Sequence, residues 1–312
     1  MKVLVYNRMA KQYRSALAER APELTVVAGY DEALLREHIG DADVLLTFRF
    51  PTEYLAQAKR LRWIQLTSAG AEQVLAAPQL RRDVVVTNTR GIHGDVMAEY
   101  AAAVMLALRW RLPALVRDQQ ARRWRPALVR PLAGATLGVV GLGAIGGAIA
   151  RQGASLGMRV LGVRRTPAPV DGVERVYGPD GLLEMLPECD FVVLVVPTTS
   201  ETTRMIGAAE LAAMKPTACL VNVARGSVVD EAALVAALRE GRLGGAALDV
   251  FDEEPLPPGS PFWDLENVLV TPHISGMPVD YWQRVLDVFL DNVARWRAGQ
   301  PLRNRVDPER GY

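Results

Sequence analysis

A chain of 312 residues with 36 basic against 35 acidic side chains, a net charge of +1, offers no basic footprint for a nucleic acid and no polybasic anchor for a membrane. Half of its residues are hydrophobic and its length allows two buried cores, which excludes a disordered chain. Its two cysteines, Cys189 and Cys219, follow no metal-ligand spacing, so no metal is expected and a reducing, cytoplasmic setting is.

The opening residues, MKVLVYNRM, turn polar too soon for a signal peptide, and no apolar run reaches the ~20 residues of a membrane span. Strands are predicted at residues 3–6, 24–27, 44–47, 63–67 and 84–87, with helices at 9–20 and 32–38 among them. That alternation signals a parallel α/β domain ending near residue 95. Residues 96–116 read as one long apolar helix interrupted by Pro113. Pro126 and Pro131 follow, with Trp124 and the solvated cluster Arg122, Arg123 and Arg125, and mark an extended crossing segment at a domain boundary. A second strand series is predicted at 136–140, 159–163, 191–195, 219–222, 246–249 and 268–271. A long amphipathic helix at 279–297 then carries the chain back to the first domain. Two doubly wound α/β domains result, and the cleft between such domains is the expected place for a small substrate.

In the run TLGVVGLGAIGGAIA an apolar strand meets Gly141, Gly143 and Gly146 and then a small-residue helix. Gly141 allows the tight turn, Gly143 lets the backbone approach a pyrophosphate, and Gly146 lets helix and strand pack closely. The amides of Ala144 and Ile145 then point at phosphates from the helix N-terminus. The alternative is a glycine-rich packing turn. The next strand ends in Arg164 and Arg165, followed by Thr166, with no acid for the ribose hydroxyls. A guanidinium pair suits the 2′-phosphate of NADP, with NAD use and a solvated charge pair as the alternative.

Of the three histidines, His38 reads as a helix-surface residue and His93 as a loop residue without evident role. His273, in LVTPHISG, follows a strand and Pro272, at the sheet edge where α/β proteins bind ligands. Its imidazole suits proton exchange near neutral pH. Glu254 closes DVFDEEP just beyond the strand ending at Asp249, and a carboxylate on an imidazole favours the protonated ring. Asp252 and Glu253 read as surface acids. Arg225 follows CLVNVA, and its fork matches a carboxylate and can polarise a carbonyl; a structural ion pair is the equal alternative.

The runs GLGAIG, VVPTTSETT, LVNVARGSVVDEAALVAALREGRLGGAALDVFDEEPLP and NVLVTPHISG cover most of residues 136–276, with SAG at 68–70 and NTRG at 88–91. In these the chain resembles the D-isomer-specific 2-hydroxyacid dehydrogenases, in particular an NADP-preferring, glyoxylate/hydroxypyruvate reductase-like branch. The resemblance implies two Rossmann/flavodoxin-like domains with the active site in the cleft: a flavodoxin-like substrate domain from residues 1–97 and 280–312, and a dinucleotide-binding Rossmann domain from 98–279. It implies a homodimer built through the nucleotide domains, with Trp124 in the segment used there. Arg225 would bind substrate, Glu254 would support the imidazole, and His273 would be the acid/base. Ala69 and Gly70 would offer amides to the substrate carboxylate. Asp249 and the carbonyl of Val223 would fix the nicotinamide carboxamide, Pro197 and Thr202 would line the adenosine and phosphate end, and Gly276 would lie by the cofactor. Arg49 and Phe50, in TFRFPTEYL, would face the substrate, Arg49 meeting a second anionic group or solvent.

Two departures stand out. Arg164, Arg165 and Thr166 replace the usual acid, and Ser275 with Gly276 stands where many members carry two glycines. The lack of a regulatory domain after residue 312 argues against a feedback-controlled phosphoglycerate dehydrogenase. The implied activity is reversible reduction of a 2-keto acid to a D-2-hydroxy acid with NADPH. Glyoxylate and hydroxypyruvate come first as substrates, then larger aliphatic or aromatic 2-keto acids. The alternatives are an NAD-linked formate or phosphite dehydrogenase on the same scaffold, and a non-catalytic, nucleotide-sensing corepressor-like protein.

Overall fold

In the computed structural model, which describes residues 1–308, the short apolar runs before Thr87 pair into one parallel sheet. Its elements are β1 (Lys2–Tyr6), α1 (Ala10–Arg20), β2 (Thr25–Gly29), α2 (Glu32–His38), β3 (Val44–Thr47), β4 (Trp63–Leu66), α3 (Glu72–Leu75) and β5 (Val85–Thr87). The strand order is β2-β1-β3-β4-β5. Every residue of β3 and β4 is buried, as befits strands covered on both faces. One face packs Leu4, Leu45 and Ile64 against Leu35, Leu55 and Val74. The other packs Val3, Val5, Val44 and Trp63 against Tyr13 and Leu17 of α1.

The second series begins with α4 (Gly94–Arg109) and α5 (Leu112–Gln120). The single helix expected over 96–116 is therefore two helices. Arg111 breaks it in the left-handed conformation at φ 52°, and Pro113 sits in the first turn of α5, where its missing N–H has no helical partner to lose. Residues 121–128 are exposed throughout, Trp124 at 93% and Leu128 fully, and the cluster Arg122, Arg123 and Arg125 lies on that solvated stretch.

Then come β6 (Thr136–Val140), α6 (Ala144–Ser155), β7 (Arg159–Val163), β8 (Arg175–Tyr177), α7 (Leu182–Met185), β9 (Phe191–Leu194), α8 (Ala208–Ala213), β10 (Cys219–Asn222), α9 (Glu231–Arg239), β11 (Gly245–Leu248) and β12 (Val268–Val270). They form a seven-stranded sheet, β12-β11-β10-β9-β6-β7-β8, in which every pair is parallel. The carboxyl ends of β12, β11, β10, β9 and β6 therefore lie along one edge. The edge strand β8 was not foreseen, because its three residues, RVY, carry no hydrophobic run.

The last helix, α10 (Tyr281–Arg297), lays Val285, Leu286, Phe289 and Val293 on the face of the first sheet beside α1. Trp63 stacks on Phe289 at 5.2 Å and on Trp296 at 5.9 Å. The chain divides into Met1–Ile92 with the part from Pro278 onward, and His93–Met277. Residues 309–312 of the expected return lie outside the described residues. Among the described residues no helix is long and apolar enough to cross a membrane, and no acidic, histidine and cysteine cluster could hold a metal. Both cysteines are buried; burial pushes the Cys189 thiol up to about 12 and the Cys219 thiol up to about 11.

Candidate active site

The turn after β6 has the shape a dinucleotide needs. Gly141 holds φ +106°, and a Cβ there would come within 2.6 Å of the Val195 carbonyl oxygen. A Cβ at 146 would run into the Gly141 carbonyl. Gly143, by contrast, would meet nothing within 4 Å, so the space above the turn is open. Gly143 is the N-cap of α6, and the amides of Ala144 and Ile145 begin the helix where no intrahelical acceptor exists. A diphosphate fits this cradle.

At the end of β7, Arg164 is half-buried, and Arg165 and Thr166 are exposed. Arg165 Nη2 lies 3.2 Å from Glu201 Oε2. The fold thus brings a carboxylate to the strand end that lacks one locally. Glu201 belongs to the loop after β9, which closes on itself: the Thr202 hydroxyl donates to the Pro197 carbonyl (2.6 Å) and accepts from the Thr199 amide (2.8 Å). Pro197 is exposed and Thr202 half-buried.

Beyond β12, His273 Nδ1 is 2.8 Å from Glu254 Oε2. The other carboxylate oxygen, Oε1, accepts the Phe251 amide at 3.1 Å, which fixes the carboxylate plane. His273 sits in the left-handed region at φ 53°, a conformation that costs a residue with a Cβ roughly 1–3 kcal/mol and persists only where surroundings impose it. The imposing group is Asp249, fully buried at the end of β11. Its Oδ1 accepts the Thr271 hydroxyl (2.6 Å) and the Ile274 amide (2.9 Å), its Oδ2 accepts the Ser275 amide (2.9 Å), and its carbonyl accepts the His273 amide (2.9 Å). The loop carrying His273 is wrapped around one carboxylate. Ser275 is buried in that wrap, and a Cβ at 276 would lie 3.2 Å from the His93 ring. His93 is the loop residue that caps α4, and it is buried there.

Arg225 stands just past β10, half-buried, with Nη1 donating to the Ala224 carbonyl at 2.7 Å. Asn222, buried, shapes this turn: its Oδ1 accepts the Ala224 amide and its Nδ2 donates to the Arg225 carbonyl, both at 3.0 Å. The carbonyl-bearing Val223 is buried between them. Gly226 brings this segment against the one that carries Glu254, since a Cβ at 226 would run into the backbone of Phe251 and Asp252. Asp252 is an exposed acid, as expected, and it pairs with Arg204 at 2.7 Å. Local sequence could not suggest Arg204 or Glu201, because their partners come from other loops; Asn222, whose partners lie two and three residues on, was missed although its turn is local.

In the first sheet, the loop after β4 carries Ala69 and Gly70, both half-buried. Its carbonyls are held: the Thr89 amide donates to Ser68 O (3.0 Å), Asn88 Nδ2 to Ala69 O (2.7 Å), and the Ser68 hydroxyl to Gly70 O (2.8 Å). Arg49, past β3, is exposed with its guanidinium 5.6 Å from the Phe48 ring centroid. Phe50 does not face a pocket. It is 3% exposed and packs in the core with Ile64 and Val74, while Phe48 is the exposed ring of the pair.

An imidazole hydrogen-bonded to a carboxylate, next to a guanidinium segment and along the same sheet edge as a diphosphate-shaped turn, can exchange a proton with a substrate beside a bound dinucleotide. Residues 102–275 match the family model described as D-isomer specific 2-hydroxyacid dehydrogenase, NAD binding domain. The chain is 37% identical to a glyoxylate reductase of Korarchaeum cryptofilum over 88% of this chain and 85% of that one. It resembles the crystal structure of a D-isomer specific 2-hydroxyacid dehydrogenase family protein from Aeromonas salmonicida, at TM-score 0.92 and 37% identity over 98% of this chain and 99% of that one. It also resembles an NADPH-dependent glyoxylate/hydroxypyruvate reductase from Sinorhizobium meliloti in complex with NADP and sulfate, at TM-score 0.91 and 29% identity over 100% and 99% of the two chains.

Proposed function

The chain belongs to the D-isomer specific 2-hydroxyacid dehydrogenase family, and from that premise we propose that it reduces glyoxylate and hydroxypyruvate, drawing on NADPH in preference to NADH. It is an NAD(P)-dependent 2-hydroxyacid dehydrogenase, an enzyme that interconverts 2-keto and 2-hydroxy acids reversibly. The observation that carries the mechanistic part is the 2.8 Å bond between His273 Nδ1 and Glu254. With Nδ1 engaged by the carboxylate, Nε2 is the nitrogen left to serve the substrate. His273 gives its Nε2 proton to the carbonyl oxygen during reduction and takes it back during oxidation. Glu254, set by the Phe251 amide, holds Nδ1 and so fixes the orientation of the ring. Arg225 takes the substrate carboxylate and draws charge toward the carbonyl, and the amides of Ala69 and Gly70 add to the carboxylate's hold. The nicotinamide, when bound, supplies the hydride for the carbonyl carbon. Asp249 and the Val223 carbonyl serve the carboxamide, with Gly276 beside them.

Cofactor preference rests on Arg164 and Arg165, with Thr166, at the end of β7. A guanidinium pair favours a 2′-phosphate over a bare ribose. Glu201, 3.2 Å from Arg165, is the observation on the other side, since a carboxylate there serves ribose hydroxyls instead. A homodimer through the nucleotide-binding unit is part of the proposal: Trp124 and Leu128 on the exposed stretch 121–128, with Leu115 and Val116 on α5, are apolar surface suited to a second copy.

The test is cofactor oxidation by the purified protein with glyoxylate, hydroxypyruvate and a panel of larger 2-keto acids, in parallel with NADPH and NADH. The expected result is turnover of the two small acids with NADPH ahead. Turnover ahead with NADH assigns the strand end to ribose binding through Glu201. No turnover with either cofactor overturns the proposed substrates.

A further inference from the structure

Arg204 has no part in the reaction as drawn above, yet its backbone is held in the left-handed region at φ 56°, as that of His273 is at φ 53°. Its amide donates to the Ser227 carbonyl (2.8 Å) and its Nη1 to the Val229 carbonyl (2.6 Å). Its Nη2 pairs with Asp252 Oδ2 at 2.7 Å. Ser227 and Val229 continue the segment that begins at Arg225, and Asp252 immediately precedes Glu253 and Glu254. The Asp252 amide, in turn, donates to Glu231 Oε1 (2.8 Å) at the start of α9, and the backbone of Phe251 and Asp252 bears on Gly226. Every one of these contacts joins Arg204, the segment of Arg225 or α9 to the segment of Glu254, or one of the first three to another.

The energetics say what such an arrangement is for. Arg204 and Asp252 are 48% and 30% exposed, and an exposed ion pair adds little stability. A guanidinium fork that spans a carbonyl on one loop and a carboxylate on another, however, fixes the distance between the loops. Both of its terminal nitrogens point at protein acceptors, so it is committed to the chain and not displayed to an anion. Glu231 is the other charge facing Asp252; burial pushes its carboxyl up, and the Asp252 charge adds to that.

We propose that Arg204 and Asp252 form a positioning clamp that holds the Arg225 segment and the Glu254 carboxylate in register, and that turnover depends on it. The proposal rests on Arg225 binding substrate and on His273, supported by Glu254, exchanging the proton.

The test compares Arg204→Gln, Arg204→Lys, Asp252→Asn and His273→Gln in steady-state glyoxylate reduction. NADPH affinity is measured separately by the fluorescence of bound NADPH, and thermal unfolding is followed alongside. A loop displaced by about an ångström costs on the order of 10–100-fold in rate, and Arg204→Gln is expected to lose that much kcat while its KM for glyoxylate rises. Its NADPH affinity and Tm stay near parental, Asp252→Asn moves the same way, and Arg204→Lys, which keeps the charge but has no fork to reach both acceptors, stays impaired. Parental kcat and KM in Arg204→Gln and Asp252→Asn, with His273→Gln inactive, overturn the clamp alone. A loss confined to NADPH affinity makes Arg204 a cofactor ligand and overturns it too. A fall in Tm that accounts for the lost activity reduces the pair to a stability element, and full activity in Arg204→Lys reduces it to a charge effect; either overturns the clamp. Near-parental turnover by His273→Gln overturns the mechanism beneath the clamp and the clamp with it.

Discussion

At the scale of single residues, the site is a set of side chains whose partners determine what each can do. His273 is ordinary as a histidine; the carboxylate on Nδ1 and a backbone that offers it no freedom make it a candidate acid. The expected consequence is direct. His273→Gln removes the transferable proton while keeping size and a hydrogen-bonding amide, so keto-acid turnover falls about 10²–10⁴-fold, the usual worth of a general acid, while NADPH binding holds. Stopped-flow hydride transfer with titrated NADPH checks both halves, and retained turnover removes His273 from the chemistry. The meeting of Glu254 and His273 was readable in sequence, because each follows the end of a neighbouring parallel strand. The engagement of Asp249 with Thr271, Ile274 and Ser275 was not. Nothing in DVFDEEP tells that a carboxylate will collect amides from a loop beyond the next strand.

At the scale of elements, the strands were legible where four or five β-branched and aliphatic residues run together, as in VLLT and FVVL, because a strand buried on both faces leaves that mark. What failed was local in cause. The helix break at Arg111 depends on one residue adopting the left-handed conformation, and β8 is three residues on a sheet edge with a single aliphatic among them. The Arg165–Glu201 pair joins residues from different strand ends, so only the strand order reveals it. The segment contact at Gly226 gives a prediction at this scale. Gly226→Ala places a methyl against the Phe251 and Asp252 backbone, which no side-chain rotation can relieve. Overpacking of this kind costs about 1–3 kcal/mol. Thermal unfolding is expected to show a lower Tm, with kcat falling further than the stability loss explains because both loops move; an unchanged Tm would show that the backbones separate at no cost.

At the scale of the whole molecule, the exposed stretch 121–128, which sets Trp124 and Leu128 among arginines, is the surface feature that most needs an explanation. Trp124 and Leu128 are almost wholly exposed, beside an α5 in which no residue is buried. The proposed dimer covers them. Light scattering is expected to give roughly twice the chain mass, and the double substitution Trp124→Glu with Leu128→Glu to give the single mass with secondary structure intact. A parental protein that already runs as a single chain overturns the dimer.

The packing of α10 has a further consequence, for biosynthesis. Val285, Phe289 and Val293 complete the core beneath β1 and β3, Arg305 bridges to Thr87, and the Val306 amide donates to the Val86 carbonyl at 2.9 Å. A ribosome therefore releases the sheet of Met1–Ile92 with one face covered by α1 alone, and makes all of His93–Met277 before the second covering helix emerges. The sheet translated second can close first, and the sheet translated first spends that interval with its α10 side unfilled around Trp63.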